Sequence, residues 1–185
     1  MWKPTQIDFS KEINYNLLLR LSGEEINIPY FDEVKEYNLI CKEEFHITIF
    51  GTKEGFELKD FFEKNAQIAD EVFHKLNTLV RETFWGGYFI NKFFLLERIF
   101  NLKYGTETRR SIIQEIKIDA DILNGFYKKA FDITGILFQS DFSHITLYTY
   151  STRNKNMSLG IGISNLQELA KYNLREVFRV NKSGL

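Results

Sequence analysis

The sequence predicts an α+β fold, built mainly from antiparallel sheets with helices on one face. Runs rich in β-branched and aromatic residues recur along the whole chain, and a few amphipathic segments separate them. The runs are more numerous than a repeating strand–helix–strand unit would give. No Gly/Ser-rich or like-charge stretch divides the 185 residues into different halves, so we expect a single domain over residues 1–185.

The first half of the chain is predicted to hold two strands and one long helix. Residues 16–21 form a short apolar strand, and residues 24–36 predict a loop followed by one or two helical turns. Residues 44–50 form a second strand, which ends at Gly51. From residue 58 to residue 80, apolar side chains recur at spacings of three and four, which is typical of one face of a helix.

The middle of the chain is predicted to form three strands and a second helix. The strands are residues 83–90, 93–100 and 108–118, which are rich in β-branched and aromatic residues. Asp119 is a suitable N-cap for the helix that follows, and Gly135 is a suitable end for it.

The last fifty residues predict three strands around a short helix. The strands are residues 143–150, 157–163 and 175–180. The helix begins with a capping-box pattern, Ser164 followed three residues later by Gln167.

Composition limits the partners that we expect. The chain is 44% hydrophobic and 26% charged, with a net charge of −1, so it lacks the basic surface that duplex nucleic acid requires. A nucleic-acid partner is therefore expected to be a small nucleotide or a short single-stranded RNA. The first residues lack the apolar core of a signal peptide and no run is long enough to span a bilayer, so we expect a cytoplasmic protein without membrane contact.

One short strand sequence occurs twice. His46-Ile47-Thr48-Ile49-Phe50 matches His144-Ile145-Thr146-Leu147-Tyr148 residue type by residue type, and two of the three histidines of the chain head the two copies. Side chains alternate between the faces of a strand, so each copy presents an imidazole and a hydroxyl on one face and buries its apolar side chains on the other.

This pair of motifs is suited to the cleavage of a phosphate ester. One group must take a proton from the attacking water, and another must give a proton to the leaving oxygen. Imidazole can do either near neutral pH, and a threonine hydroxyl can donate a hydrogen bond to a non-bridging phosphate oxygen. We therefore predict His46, Thr48, His144 and Thr146 as catalytic residues.

Two strand-borne His-x-Thr motifs in a small α+β protein resemble those of the two-histidine (2H) phosphoesterase superfamily, including its 2′-5′ RNA ligase and cyclic phosphodiesterase branch. The resemblance implies a bilobal fold with pseudo-two-fold symmetry and a central cleft. It also implies metal-independent hydrolysis of 2′,3′-cyclic, 2′-5′ or related phosphodiesters in nucleotides or RNA. That branch usually carries an arginine after the second motif, where Leu147, Tyr148 and Thr149 stand here.

Four further residues are candidates for substrate binding. By strand alternation Phe50 and Tyr148 fall on the same faces as their histidines, where an aromatic ring can stack on a base. Arg153 and Lys155 follow the second motif and are expected at the mouth of the cleft, where cations would attract an anionic substrate.

The other patterns in the sequence give weaker evidence about function. No histidines, cysteines or carboxylates show metal-ligand spacing, so we expect neither metal nor cofactor. His74 is expected on the solvent side of the long helix, and Cys41 in a half-buried packing position. A binding module of the same fold without catalysis, and a structural protein in which the repeat is coincidental, both remain open.

Overall fold

The two repeated strands belong to different antiparallel sheets. The computed structural model describes residues 1–138, 142–153, 160–163, 166–169 and 171–180. Within these residues the strands form a three-stranded sheet in the order β1-β2-β4 and a five-stranded sheet in the order β3-β7-β6-β5-β8. Their bounds are β1 Gln6–Phe9, β2 Leu17–Leu21, β3 Ile40–Cys41, β4 Phe45–Phe50, β5 Gly87–Leu102, β6 Gly105–Ile118, β7 Ser143–Ser151 and β8 Asn173–Val177. The predicted α+β class with antiparallel sheets is confirmed.

The helices lie between these strands in sequence. Their bounds are α1 Asp32–Glu36, α2 Thr52–Lys64, α3 Ala69–Glu82, α4 Ala120–Thr134 and α5 Leu166–Leu169. The predicted ends of α4 are confirmed: the Asp119 carboxylate accepts hydrogen bonds from two backbone N–H groups of the first turn, and Gly135 ends the helix with a φ of 71°. No helix in the described part of the chain is both long and apolar enough to cross a membrane.

The long helix predicted over residues 58–80 is two helices. The chain turns at residues 65–68, between the end of α2 and the start of α3. Asn65 caps the end of α2, where its backbone N–H and its side-chain amide both donate to the carbonyl oxygen of Phe61, at 3.0 and 2.8 Å. Apolar residues keep their helical spacing on both sides of the turn, which is why the pattern conceals it.

The predicted strands 83–90 and 93–100 are one long strand, β5, whose pairing with β6 is irregular between Phe89 and Phe93. A tight hairpin joins β5 to β6, and Gly105 supports it with a φ of 110°. The last strand, β8, begins and ends earlier than predicted. The sequence did not predict β1 or β3.

Part of the C-terminal prediction is outside the described residues. Residues 157–159 and Ser164 are not described, and residues 160–163 are not a strand. They instead lie against the end of β7 that carries the second motif, because a Cβ added at Gly160 would lie 3.5 Å from the Thr146 hydroxyl oxygen. Cys41 is exposed, so its predicted packing role is wrong.

One hydrophobic core joins the two sheets. It takes residues from β2 and β4 of the small sheet, from β5, β6 and β7 of the large sheet, and from α2, α3 and α4. A smaller cluster covers the other face of the large sheet, where Ile161 and Ile163 pack on side chains of β5 and β6. The shared core fixes the two repeated strands relative to one another.

Candidate active site between the two sheets

The two motif strands lie side by side, although each belongs to a different sheet. The backbone N–H of Lys42, just before β4, donates to the carbonyl oxygen of Leu147 in β7 at 2.9 Å. In both strands the motif histidine and threonine are half-buried, and the apolar residue between them is fully buried. The predicted alternation is therefore confirmed at His46, Thr48, His144 and Thr146.

A β-bulge follows each motif and interrupts the alternation. In the small sheet, Thr48 and Phe50 pair with consecutive residues of β2, which leaves Ile49 as the extra residue. In the large sheet, Thr146 and Tyr148 pair with consecutive residues of β6, which leaves Leu147 as the extra residue. The two strands thus share an irregularity at equivalent positions as well as a sequence.

The bulges turn Phe50 and Tyr148 into the core. Phe50 is fully buried, with its ring centroid 4.4 Å from that of Phe138. Tyr148 is also buried, and its hydroxyl donates to the carbonyl oxygen of Pro29 at 3.0 Å. Neither ring has a face available to a ligand, so the stacking role predicted for them is wrong.

An open cleft of about 820 Å³ runs past the motifs. His46 and Thr48 line it directly, and Gly160 lines it beside the Thr146 hydroxyl. His144 packs its ring on Phe142, with centroids 5.4 Å apart and an interplanar angle of 24°. The charge of His46 acts on His144, so the two imidazoles are electrostatically coupled across the boundary between the sheets.

Both imidazoles favour the neutral form. Burial, together with the positive charges of Lys42 and Arg20, lowers the pKa of His46, while the carboxylates of Glu44 and Asp8 act in the opposite direction. Burial, with the charge of His46, lowers the pKa of His144 from 6.5 to about 4. At pH 7 His144 is therefore a neutral imidazole, which can accept a proton.

Charged side chains surround His46, the histidine of the first motif. Arg20 lies opposite His46 in the β2–β4 ladder and forms ion pairs with Asp8 and Glu44. Lys42 is half-buried, and burial lowers its pKa. His46 therefore has two cations and two carboxylates around it. The charge of His46 acts on His144, and Glu115 lies opposite His144 in the β6–β7 ladder.

The first turn of α2 forms another wall of the cleft. This helix begins directly after the first motif strand, and Gly51, Thr52 and Lys53 line the cleft at its N-terminus. Phe56 lines it as well and is 58% exposed, so its ring is accessible to a ligand. These residues were not predicted, although their position immediately after the strand 44–50 is a signal for their proximity to His46.

The third wall is formed by the large sheet, from residues Arg98, Phe100, Arg109 and Tyr172. Neither Arg98 nor Arg109 was predicted as a site residue, because both lie in segments that were predicted as ordinary strands. The hairpin identifies them, because pairing outwards from the turn at Lys103 and Tyr104 places Arg98 directly opposite Arg109.

The two basic residues predicted after the second motif are not found at the cleft. Arg153 is exposed and donates to the carbonyl oxygen of Tyr104 at 2.7 Å, in the hairpin turn. It is not one of the described residues that line the cleft, so its predicted role is not supported. Lys155 lies outside the described residues. His74 is exposed on α3, as predicted.

Metal ligands do not converge in the described part of the chain, where no group of three or more His, Cys, Asp or Glu side chains is placed to hold an ion. The described lining of the cleft instead offers the His46 imidazole, hydroxyls, two guanidinium groups and the exposed ring of Phe56. Comparison of the chain with protein-family models, with curated proteins and with solved structures found no match.

Proposed function

We propose that this protein is a phosphodiesterase that cleaves 2′,3′-cyclic, 2′-5′ or related phosphodiester bonds in nucleotides or short single-stranded RNA, without a metal ion. The observation that carries the proposal is the placement of two identical His-x-Thr motifs on neighbouring strands, each followed by a β-bulge at the same position. Of these four residues, His46 and Thr48 line the cleft, and Thr146 lies beside Gly160 of its lining.

The chemistry needs one proton acceptor and one proton donor. Water attacks phosphorus as a base removes its proton, the bond from phosphorus to the ester oxygen breaks, and an acid protonates that oxygen. The motif threonines donate hydrogen bonds to the non-bridging oxygens, where negative charge is held in the transition state. The two motifs therefore contain a group for each part of the reaction.

We assign the acid to His46 and the base to His144. The carboxylates of Asp8 and Glu44 favour the protonated form of His46, whereas burial lowers the pKa of His144 to about 4. A neutral His144 can take the proton of the attacking water, and a protonated His46 can give one to the leaving oxygen. After turnover His144 carries the proton taken from water and His46 has lost one, and proton exchange with solvent returns each histidine to its starting form.

The first experiment is hydrolysis of a panel of phosphodiesters with a chelator present. The panel contains 2′,3′-cyclic mononucleotides, a 2′-5′ linked dinucleotide and a 3′-5′ linked control. Replacing either His46 or His144 by alanine is expected to lower kcat about 10² to 10⁴-fold, because each removes one proton transfer. His74→Ala is the matched control, since His74 is the remaining histidine and is exposed on α3.

A second substrate tests the assignment of roles. A nucleoside p-nitrophenyl phosphodiester has a leaving group that departs without a proton, so it does not need the acid. His46→Ala is expected to keep most of its activity on this substrate, while His144→Ala is expected to lose it. The reverse pattern would exchange the two roles. Full activity of both variants on the cyclic substrates would refute the proposed enzyme, and tight binding without cleavage by the wild type would indicate a binding module.

A further inference from the structure

Two arginines face each other at one end of the cleft. Arg98 of β5 and Arg109 of β6 are directly opposite in the ladder, and both line the cleft that contains His46 and Thr48. Like charges at directly opposite positions of a sheet destabilise it.

Only one of the two charges is balanced within the described residues. Arg109 donates to both carboxylate oxygens of Glu107, at 2.8 and 3.0 Å, and the Ser151 hydroxyl donates to the same carboxylate at 2.6 Å. Arg98 is exposed and forms no ion pair with any described residue. The cluster therefore keeps one positive charge, which Arg98 carries.

Aromatic side chains hold Arg98 in place. Its guanidinium lies 4.4 Å from the ring centroid of Phe100 and 5.2 Å from that of Tyr172, and it donates to the Tyr172 hydroxyl at 3.1 Å. Arg109 lies 4.6 Å from the same Phe100 ring. Because these contacts orient the guanidinium before a ligand arrives, binding an anion costs less side-chain entropy. The other lysine or arginine that lines the cleft, Lys53, has Glu57 3.9 Å from its ammonium.

The position of Arg98 separates it from the reacting phosphate. Thr146 pairs with Ile113, and Arg109 precedes Ile113 by four residues of β6, which corresponds to about 13 Å along the strand. A phosphate held by the two motifs is therefore too distant to be the ligand of Arg98. A ligand that contacts both the motifs and Arg98 therefore needs a second anionic group at the Arg98 end of the cleft.

We propose that Arg98 binds a second phosphate of the substrate, so that the preferred substrate is a nucleotide with an additional phosphate or an oligonucleotide, rather than a nucleoside cyclic phosphate. The inference rests on the proposed function for the site of the first phosphate. The second phosphate is either a 5′-terminal phosphate or an internucleotide phosphate, which present the same oxygens to a guanidinium.

Three substrates and two variants test this inference. The substrates are adenosine 2′,3′-cyclic phosphate, the same compound with a 5′-phosphate, and an adenosine dinucleotide that ends in a 2′,3′-cyclic phosphate. Arg98→Gln removes the charge but keeps a polar side chain. Arg175→Gln is the matched control. Arg175 lies on the neighbouring strand β8, forms an ion pair with Glu33 at 3.2 Å and is not among the residues that line the cleft.

Loss of the guanidinium is expected to raise KM about tenfold or more for a substrate with two phosphates, since a charged hydrogen bond is lost. KM for adenosine 2′,3′-cyclic phosphate is expected to stay within about twofold, as is every KM of Arg175→Gln. The substrate whose KM rises identifies the second phosphate as terminal or internucleotide. An equal change in KM for all three substrates, or no change for any, would overturn the inference.

Dissociation constants keep this test separate from the proposed reaction. The same compounds are titrated calorimetrically into His144→Ala and into the double variant His144→Ala/Arg98→Gln. Neither protein is expected to cleave them, so the titration measures binding alone. Tenfold weaker binding of only the two-phosphate compounds supports the role of Arg98 even if the panel shows no cleavage. Equal binding of all compounds to both forms overturns that role even if the panel is cleaved.

Discussion

A phosphate bound beside the two histidines reverses the electrostatics that now keep them neutral. Burial lowers the pKa of His144 to about 4 and also lowers the pKa of His46. A phosphate anion within hydrogen-bond distance favours the imidazolium form. We expect inorganic phosphate or a nucleotide product to raise the pKa of at least one of the two imidazoles by about one unit or more. Titration of the ring signals by NMR measures this shift, and unchanged pKa values at saturating ligand would contradict it.

Thr149 serves as a control for the hydroxyls of the two motif threonines, Thr48 and Thr146. Replacing Thr48 or Thr146 by valine keeps the shape and removes the donor, so we expect kcat to fall about 10 to 100-fold. Thr149 is buried on β7, and its hydroxyl has no hydrogen-bond partner among the described residues. Thr149→Val should therefore leave kcat unchanged and should not lower the free energy of unfolding. A loss of activity in Thr149→Val equal to that in Thr146→Val would contradict the donor role.

The alternation of apolar residues along the strands identified part of the site but not all of it. Period-two alternation placed all four motif residues on the correct faces, because buried isoleucines fix the register of β4 and β7. The same alternation failed two residues later, at Phe50 and Tyr148, because a β-bulge is not visible in the pattern of apolar residues. Arg98 was missed since its importance depends on long-range pairing across a hairpin.

The packing of α2 against the chain before β2 positions one wall of the cleft. Gly55 lies where a Cβ would overlap the backbone carbonyl oxygen of Asn14 and would come 2.8 Å from the side-chain oxygen of Asn16, which also lines the cleft. Alanine normally stabilises a helix interior relative to glycine by about 0.5 to 1 kcal/mol. Here the free-energy cost of relieving the overlap exceeds that gain, so Gly55→Ala should lower the free energy of unfolding by about 1 to 3 kcal/mol.

A second glycine provides the comparison for this element. Gly125 lies in the interior of α4, and a Cβ added there would meet no atom within 4 Å. Gly125→Ala is therefore expected to raise the free energy of unfolding by up to about 1 kcal/mol. Urea denaturation of both variants measures the difference. If Gly55→Ala were as stable as Gly125→Ala, α2 would not be held against Asn14 as the structure has it.

At the scale of the whole molecule, the cleft exists because one core joins two sheets. Each sheet supplies one motif, so neither sheet alone contains both motif histidines. The sequence indicated this division through the repeat, but the spatial relation of β4 and β7 depends on packing between sheets, which no local pattern encodes. Stability of the whole fold and protonation of the site are consequently linked.

This linkage predicts how stability depends on pH. His144 has an ordinary pKa of 6.5 that the unfolded chain retains, and a folded pKa of about 4. Between these values the unfolded state binds a proton that the native state excludes, so the free energy of unfolding falls as pH is lowered through this range. The shift corresponds to a loss of about 3 kcal/mol once the pH is below 4. His46, whose pKa is also lowered, acts in the same direction.

A different group acts at lower pH, which makes the two effects separable. The Arg109 guanidinium and the Ser151 hydroxyl lower the pKa of Glu107 from 4.5 to about 2, so its stabilisation is present above pH 4.5 and is lost as pH falls towards 2. Urea denaturation between pH 4.5 and 7 thus reports on the histidines. We expect His144→Gln to flatten this dependence and His74→Ala to keep it, because His74 is exposed. An unaltered slope in His144→Gln would show that His144 is not held in its neutral form by the fold.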